Sequence, residues 1–84
     1  MYMHIGQNTM ILKKDIIGIF DLDNTSQSFL TRKFLSDAEK AGKIQNVSDD
    51  IPKSFVVCQG ENGTVVYLSQ LNSATLLKRN ESVL

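Results

Sequence analysis

Ser54-Phe55-Val56-Val57-Cys58-Gln59-Gly60-Glu61-Asn62-Gly63-Thr64-Val65-Val66-Tyr67-Leu68-Ser69 decides the fold. Two runs of β-branched and aromatic side chains flank Glu61-Asn62-Gly63, and such side chains fit a pleated surface. Asn-Gly between runs of this kind is the strongest short-range hairpin signal. Both parity classes are apolar: Phe55, Val57, Val65 and Tyr67 form one, and Val56, Cys58, Val66 and Leu68 the other. An antiparallel hairpin commonly turns one face to water, so an apolar second face demands a second covering layer.

The rest of the chain supplies candidates for that cover. Asp15 to Asp21 is a further strand, with Ile17 and Ile19 on one face and Ile16 and Phe20 on the other. Tyr2 to Ile5 and Thr9 to Lys13 form a first hairpin around Gly6-Gln7-Asn8. Asp23-Asn24-Thr25-Ser26 are helix-capping residues, and the apolar positions Leu30, Phe34, Ala38 and Ala41 then recur at helical spacing. This gives one main helix over about 26–41, closed by Gly42 as a left-handed cap, with Lys40 and Lys43 complementing its dipole. Lys43 to Pro52 reads as a polar connection around Ile44 and Val47, and Asn72 or Ser73 caps a short helix over 74–79 before a frayed tail at 80–84. No repeat or linker composition divides the chain, so residues 1–84 are expected to form a single domain. The fold class is α+β: a small, mostly antiparallel sheet of about five strands, one main helix and a short C-terminal helix. One long helix covers one sheet face. The short helix could cover the other, but a partner subunit is the more economical cover, which predicts a homo-oligomer.

Eighty-four residues with a 42% hydrophobic fraction suffice for one modest core, which excludes multidomain enzymes. A single cysteine allows no internal disulfide, and Cys58 and His4 fall short of the four soft ligands of a structural zinc site. Cys58 lies mid-strand in an apolar run without an identifiable orienting group, so it reads as a core thiol, and Met1, Met3 and Met10 read as hydrophobic filler. No glycine-rich phosphate loop exists, because Gly60 and Gly63 flank a hairpin turn. No cofactor, metal or small-molecule substrate is expected. No stretch approaches the ~20 apolar residues of a membrane span and no signal peptide is visible, so the expected location is cytoplasmic.

Asp21-Leu22-Asp23-Asn24-Thr25 after an apolar strand resembles the first motif of haloacid dehalogenase-type phosphatases, D-x-D-x-T. There the first Asp attacks phosphorus, the second is general acid and base, and Mg2+ neutralises charge. That fold needs several βαβ units in a doubly wound sheet, which a chain of this length opening on a hairpin does not hold. The expected reading is a strand end followed by Asx-type caps, and no enzyme.

Nine Lys plus Arg balance nine Asp plus Glu, so a globally basic nucleic-acid binder is not indicated. The cations nevertheless cluster as Lys13-Lys14, Arg32-Lys33, Lys53 and Lys78-Arg79. Repeated around a symmetric assembly, such clusters become a basic stripe. His4-Ile5-Gly6, Lys14-Asp15-Ile16-Ile17-Gly18-Ile19-Phe20-Asp21, Ala41-Gly42, Pro52-Lys53-Ser54-Phe55-Val56-Val57 and the run from Leu68-Ser69 to Leu76-Leu77-Lys78-Arg79 together resemble the extracellular matrix regulator RemB family and, more distantly, the RemA family. The resemblance spans residues 1 to about 79. It implies a bacterial regulator of biofilm matrix genes that assembles into rings and contacts double-stranded DNA through basic residues. By order along the chain it implies Lys14 and Lys53 as DNA-contacting residues, and Arg32 and Lys33 as a matching basic pair. Where RemA-like sequences carry adjacent arginines ahead of the later hairpin, this chain has Asp50-Ile51-Pro52 and keeps only Lys53. Lysine meets phosphate as a point charge, without the bidentate fork of arginine. A non-catalytic protein-binding module remains the alternative.

Overall fold

A computed structural model gives the fold of residues 1–25 and 28–81. The elements run β1 (Tyr2–Gly6), β2 (Thr9–Leu12), a 3-10 turn (Lys13–Asp15), β3 (Ile16–Asp21), α1 (Leu22–Thr25), α2 (Phe29–Lys40), β4 (Ile44–Asn46), β5 (Ser54–Gly60), β6 (Gly63–Ser69) and α3 (Ser73–Glu81). β1 and β2 form a separate antiparallel pair, and the other four strands make a sheet in the order β3-β5-β6-β4. The α+β class holds. The sheet gains a strand that the sequence hides, because β4 arises within the polar connection and pairs parallel to β6, Ile44 opposite Val66 and Asn46 opposite Leu68.

The hairpin of β5 and β6 turns through Glu61 and Asn62, with Gly60 opposite Gly63, whose φ of 105° suits only glycine. That register pairs Phe55 with Leu68, Val56 with Tyr67 and Val57 with Val66. Paired residues share a face, so odd positions of β5 join even positions of β6, and the parity grouping read from the sequence is corrected. Phe55, Val57 and Val66 pack with Ala38, Leu35, Ile44 and Leu68 under α2. Val56 and Cys58 pack with Met3, Ile5, Ile11 and Leu76 on the other face, joined by Tyr67. The second face is therefore covered by the chain's own β1 and β2 hairpin together with α3, and needs no neighbour.

β3 carries a second correction. Its register against β5 shifts between Ile16 and Gly18, so that Ile16 opposes Cys58 and Gly18 opposes Val57. The extra residue breaks simple alternation. Ile16 and Ile19 join the face under the first hairpin, whereas Ile17 and Phe20 stand on the α2 side.

The main helix is shorter than the expected 26–41. Leu22–Thr25 form a separate helical turn, Ser26 and Gln27 lie outside the described residues, and Ser28 caps α2 by accepting a hydrogen bond from the Thr31 amide at 3.4 Å. Gly42, at φ 71°, takes the left-handed position that closes the helix. The helix is also rolled from its expected stripe. Ala38 is buried and Leu35 half-buried, while Leu30 stays 74% exposed and Phe34 40% exposed. α3 is capped by Asn72, whose side chain accepts from the Thr75 amide at 2.8 Å, and it is anchored by the fully buried Leu76. It continues through Glu81, and 82–84 lie outside the described residues. Two buried serines tie the layers together. Ser69 Oγ donates to the Ile5 carbonyl at 2.8 Å and accepts from the Leu71 amide, and Ser54 Oγ donates to the Leu71 carbonyl at 2.7 Å.

Candidate nucleic-acid interface

Lys14 sits in the 3-10 turn that carries the chain from the first hairpin into β3, and its side chain is exposed. Lys53 directly precedes β5. Its amide donates to the Ser69 carbonyl at 2.8 Å and its carbonyl accepts from the Leu22 amide at 3.0 Å, which fixes the backbone and leaves the side chain exposed. β3 and β5 are antiparallel, with Ile16 opposite Cys58 and Asp21 opposite Ser54. Lys14 and Lys53 therefore lie at opposite ends of this strand pair, about 17 Å of strand apart at ~3.3 Å per residue. A single subunit does not bring them together.

The surroundings of the two differ in sign. The loop from β4 to β5 places Asp49 and Asp50 at the Lys53 end, and the exit of β3 places Asp21 and Asp23 there as well. Arg32 and Lys33 are exposed on α2, and Lys33 pairs with Asp37 one turn on at 3.0 Å, which offsets its charge locally. Of the four basic residues expected from the sequence, Lys14 and Arg32 are the exposed cations that neither a carboxylate cluster nor a helix-surface ion pair offsets.

The phosphatase-like pentapeptide serves the fold. Asp21 accepts from the Asp23 amide at 2.7 Å on one carboxylate oxygen, and the Ser73 hydroxyl donates to the other at 3.4 Å. The carboxylate thus turns the chain out of β3 and holds the start of α3. Among the described residues no group of three His, Cys, Asp or Glu side chains is placed to hold a metal ion. Burial, with the Asp15 carboxylate adding to it, pushes the Cys58 thiol up to about 11, as suits a core thiol. Among the described residues no helix is long and apolar enough to cross a membrane.

The most conspicuous surface feature is apolar. Ile17 and Phe20 of β3, Leu30 and Phe34 of α2, and Phe55 and Val57 of β5 line a groove of about 320 Å³. Ile17 is 65% exposed and Phe20 39%, although the Phe20 ring stacks on Phe55 with centroids 4.9 Å apart. Sequence reading missed this groove because the bulge, which turns Ile17 to the α2 side, leaves no mark beyond a glycine within a strand. β3 is also an edge strand, open on the side away from β5.

Comparison with known proteins agrees with the residues. The sequence profile of the RemA-like family, described as extracellular matrix regulatory protein A-like, matches residues 2–79. Extracellular matrix regulatory protein B of Bacillus subtilis (strain 168) is 34% identical over 79 residues, which cover 94% of this chain and 89% of that protein. With the profile matched over nearly its whole length, this chain belongs to the RemA-like family.

Proposed function

We propose that the protein is a non-catalytic, cytoplasmic bacterial regulator of extracellular matrix genes that works as a homo-oligomer and contacts duplex DNA through backbone phosphates. The observation that carries this reading is the open groove of Ile17, Phe20, Leu30 and Phe34 on a chain whose other sheet face is covered by its own hairpin and α3. Contiguous apolar surface beside an open strand edge favours burial against a protein surface. Burying it against further copies would repeat each exposed lysine around the assembly, so that a subunit of zero net charge still presents a basic stripe. Phosphate contact of this kind positions a duplex without reading its bases.

Light scattering of the purified protein, with and without duplex DNA at two salt concentrations, tests both parts. The expected result is a mass several times that of the chain, rising further with DNA at low salt and falling back at high salt. An assembly whose mass ignores DNA would favour the second reading, a protein-binding assembly module, which the carboxylates of Asp49 and Asp50 beside Lys53 support.

A further inference from the structure

A second concavity lies on the sheet face away from α2, where the first hairpin meets the main sheet. Tyr2, Met10 and Leu12 of the hairpin, Cys58 of β5 and Tyr67 of β6 line a cleft of about 240 Å³, and Asp15, the last residue of the 3-10 turn, lines it with them. Ile16 opposes Cys58 in the antiparallel register, so the turn just before it lies against the end of β5. The Asp15 carboxylate there comes 3.5 Å from the place that a β-carbon on Gly60 would take, and glycine leaves that flank without a side chain. Asp15 is half-buried, and among the described residues neither a hydrogen bond nor an ion pair reaches its carboxylate. Lys13 and Lys14 precede it in the turn, but neither lines the cleft. A carboxylate partly withdrawn from water without a partner is costly, and an opposite charge beside it offsets that cost. Burial and, after it, the Asp15 charge raise the Cys58 thiol to about 11; burial, Cys58 and Asp15 raise the Tyr67 hydroxyl above its ordinary 10.0. Both groups are therefore neutral at pH 7, and Asp15 is the one negative charge in the lining.

We infer that this cleft binds a small organic cation with an alkylated ammonium head, of the size of choline, through the Asp15 carboxylate and the rings of Tyr2 and Tyr67. The inference stands apart from the DNA-contacting reading. An alkylated ammonium is drawn both to a carboxylate and to the π-face of an aromatic ring, and it needs no hydrogen-bond acceptor. That matches a lining in which apolar and aromatic side chains surround a single charge. A primary ammonium brings three donors, and the cleft answers them with little beyond the Asp15 and Tyr67 oxygens. A bare metal ion fits worse still, since it requires several oxygen, nitrogen or sulfur ligands, and among the described residues no group of three His, Cys, Asp or Glu side chains is placed to supply them. The volume lies below that of sites for drug-sized ligands, which suits a compact head. Tyr2 is 61% exposed at the rim, so its ring is free to settle over a bound cation.

The test is NMR of the full chain labelled at its methionine methyl groups, a signal that survives in large assemblies. Choline chloride is titrated in at constant ionic strength, and dimethylbutanol, its neutral carbon isostere, serves as the control. Met10 lines the cleft and Met3 is enclosed in the core, so the Met10 methyl should shift saturably with choline while the Met3 methyl holds its place. The neutral alcohol should bind at least about tenfold more weakly, because it lacks the charge that Asp15 and the rings attract. Asp15→Asn removes that charge at nearly constant shape and should weaken choline binding by at least about tenfold. Tyr2→Leu, at an exposed position that the fold does not need, should weaken it by about threefold, the scale of one exposed cation–π contact. A Met10 methyl that does not respond to choline overturns the inference. So does equal binding of choline and the alcohol, which would make the cleft a purely apolar one, and so does unchanged choline affinity in both variants.

Discussion

The aromatic ring of Phe20 lies over Gly18. A β-carbon placed on Gly18 would stand 2.6 Å from two atoms of that ring, closer than any real contact allows. The glycine lets Phe20 fold back along its own strand and stack on Phe55, which forms the floor of the open groove. The backbone at Gly18 lies outside the left-handed region, so alanine is excluded there by the ring alone. Gly18→Ala should therefore destabilise the protein by about 1 kcal/mol, the order of one displaced aromatic stack. In a Phe20→Ala background the same change should be neutral or mildly stabilising, because alanine then only restricts the unfolded chain. Urea unfolding of the four proteins gives the cycle, and an equal cost in both backgrounds would refute the ring contact.

Ser69 joins layers that are distant in sequence. It is fully buried, and its hydroxyl serves the Ile5 carbonyl and the Leu71 amide together. Ser69→Ala leaves both backbone groups without that partner, at a cost of about 1–3 kcal/mol, whereas substitution of an exposed serine such as Ser36 should stay within about 0.5 kcal/mol. Thermal or urea unfolding distinguishes the two.

Cys58 should resist modification in the folded chain. With its thiol raised from 9.0 to about 11, the thiolate fraction at pH 8 is about a hundredfold lower than in the unfolded chain. Alkylation by iodoacetamide should slow by at least that factor and recover in denaturant. The sign for stability follows. The folded state favours the neutral thiol, so the contribution is complete below pH 9 and is lost between about pH 9 and pH 11, on the order of 3 kcal/mol in all. A Cys58→Ser variant should show a flatter fall in stability across that window.

The groove can be altered without touching the core. Leu30 is 74% exposed, so Leu30→Glu should change unfolding stability of the subunit by no more than about 0.5 kcal/mol while lowering the mass of any assembly that buries the groove. Size-exclusion chromatography with light scattering reads the mass, and an unchanged assembly would remove the groove from the interface.

Much of this architecture is legible in the residues. Asn62-Gly63 marks the later hairpin, Gly42 the end of α2 and Asn72 the start of α3, because each meets a local backbone requirement. What escaped depends on pairing between distant segments. β4 is three residues long and mostly polar, and only its parallel ladder to β6 makes it a strand. The bulge at Ile16 to Gly18 decides which isoleucines face the groove, and period-two reading has no means of anticipating it. Lys14, Arg32, Lys33 and Lys53 were identifiable as exposed cations, but their separation was not, since it follows from the antiparallel run of β3 against β5.

Self-association through the Ile17, Phe20, Leu30 and Phe34 groove is the claim on which the regulatory reading depends. Sedimentation equilibrium of the purified chain at micromolar concentration addresses it without any ligand. The expected result is a single species at an integral multiple, greater than one, of the chain mass, and a clean monomer across that concentration range would contradict it.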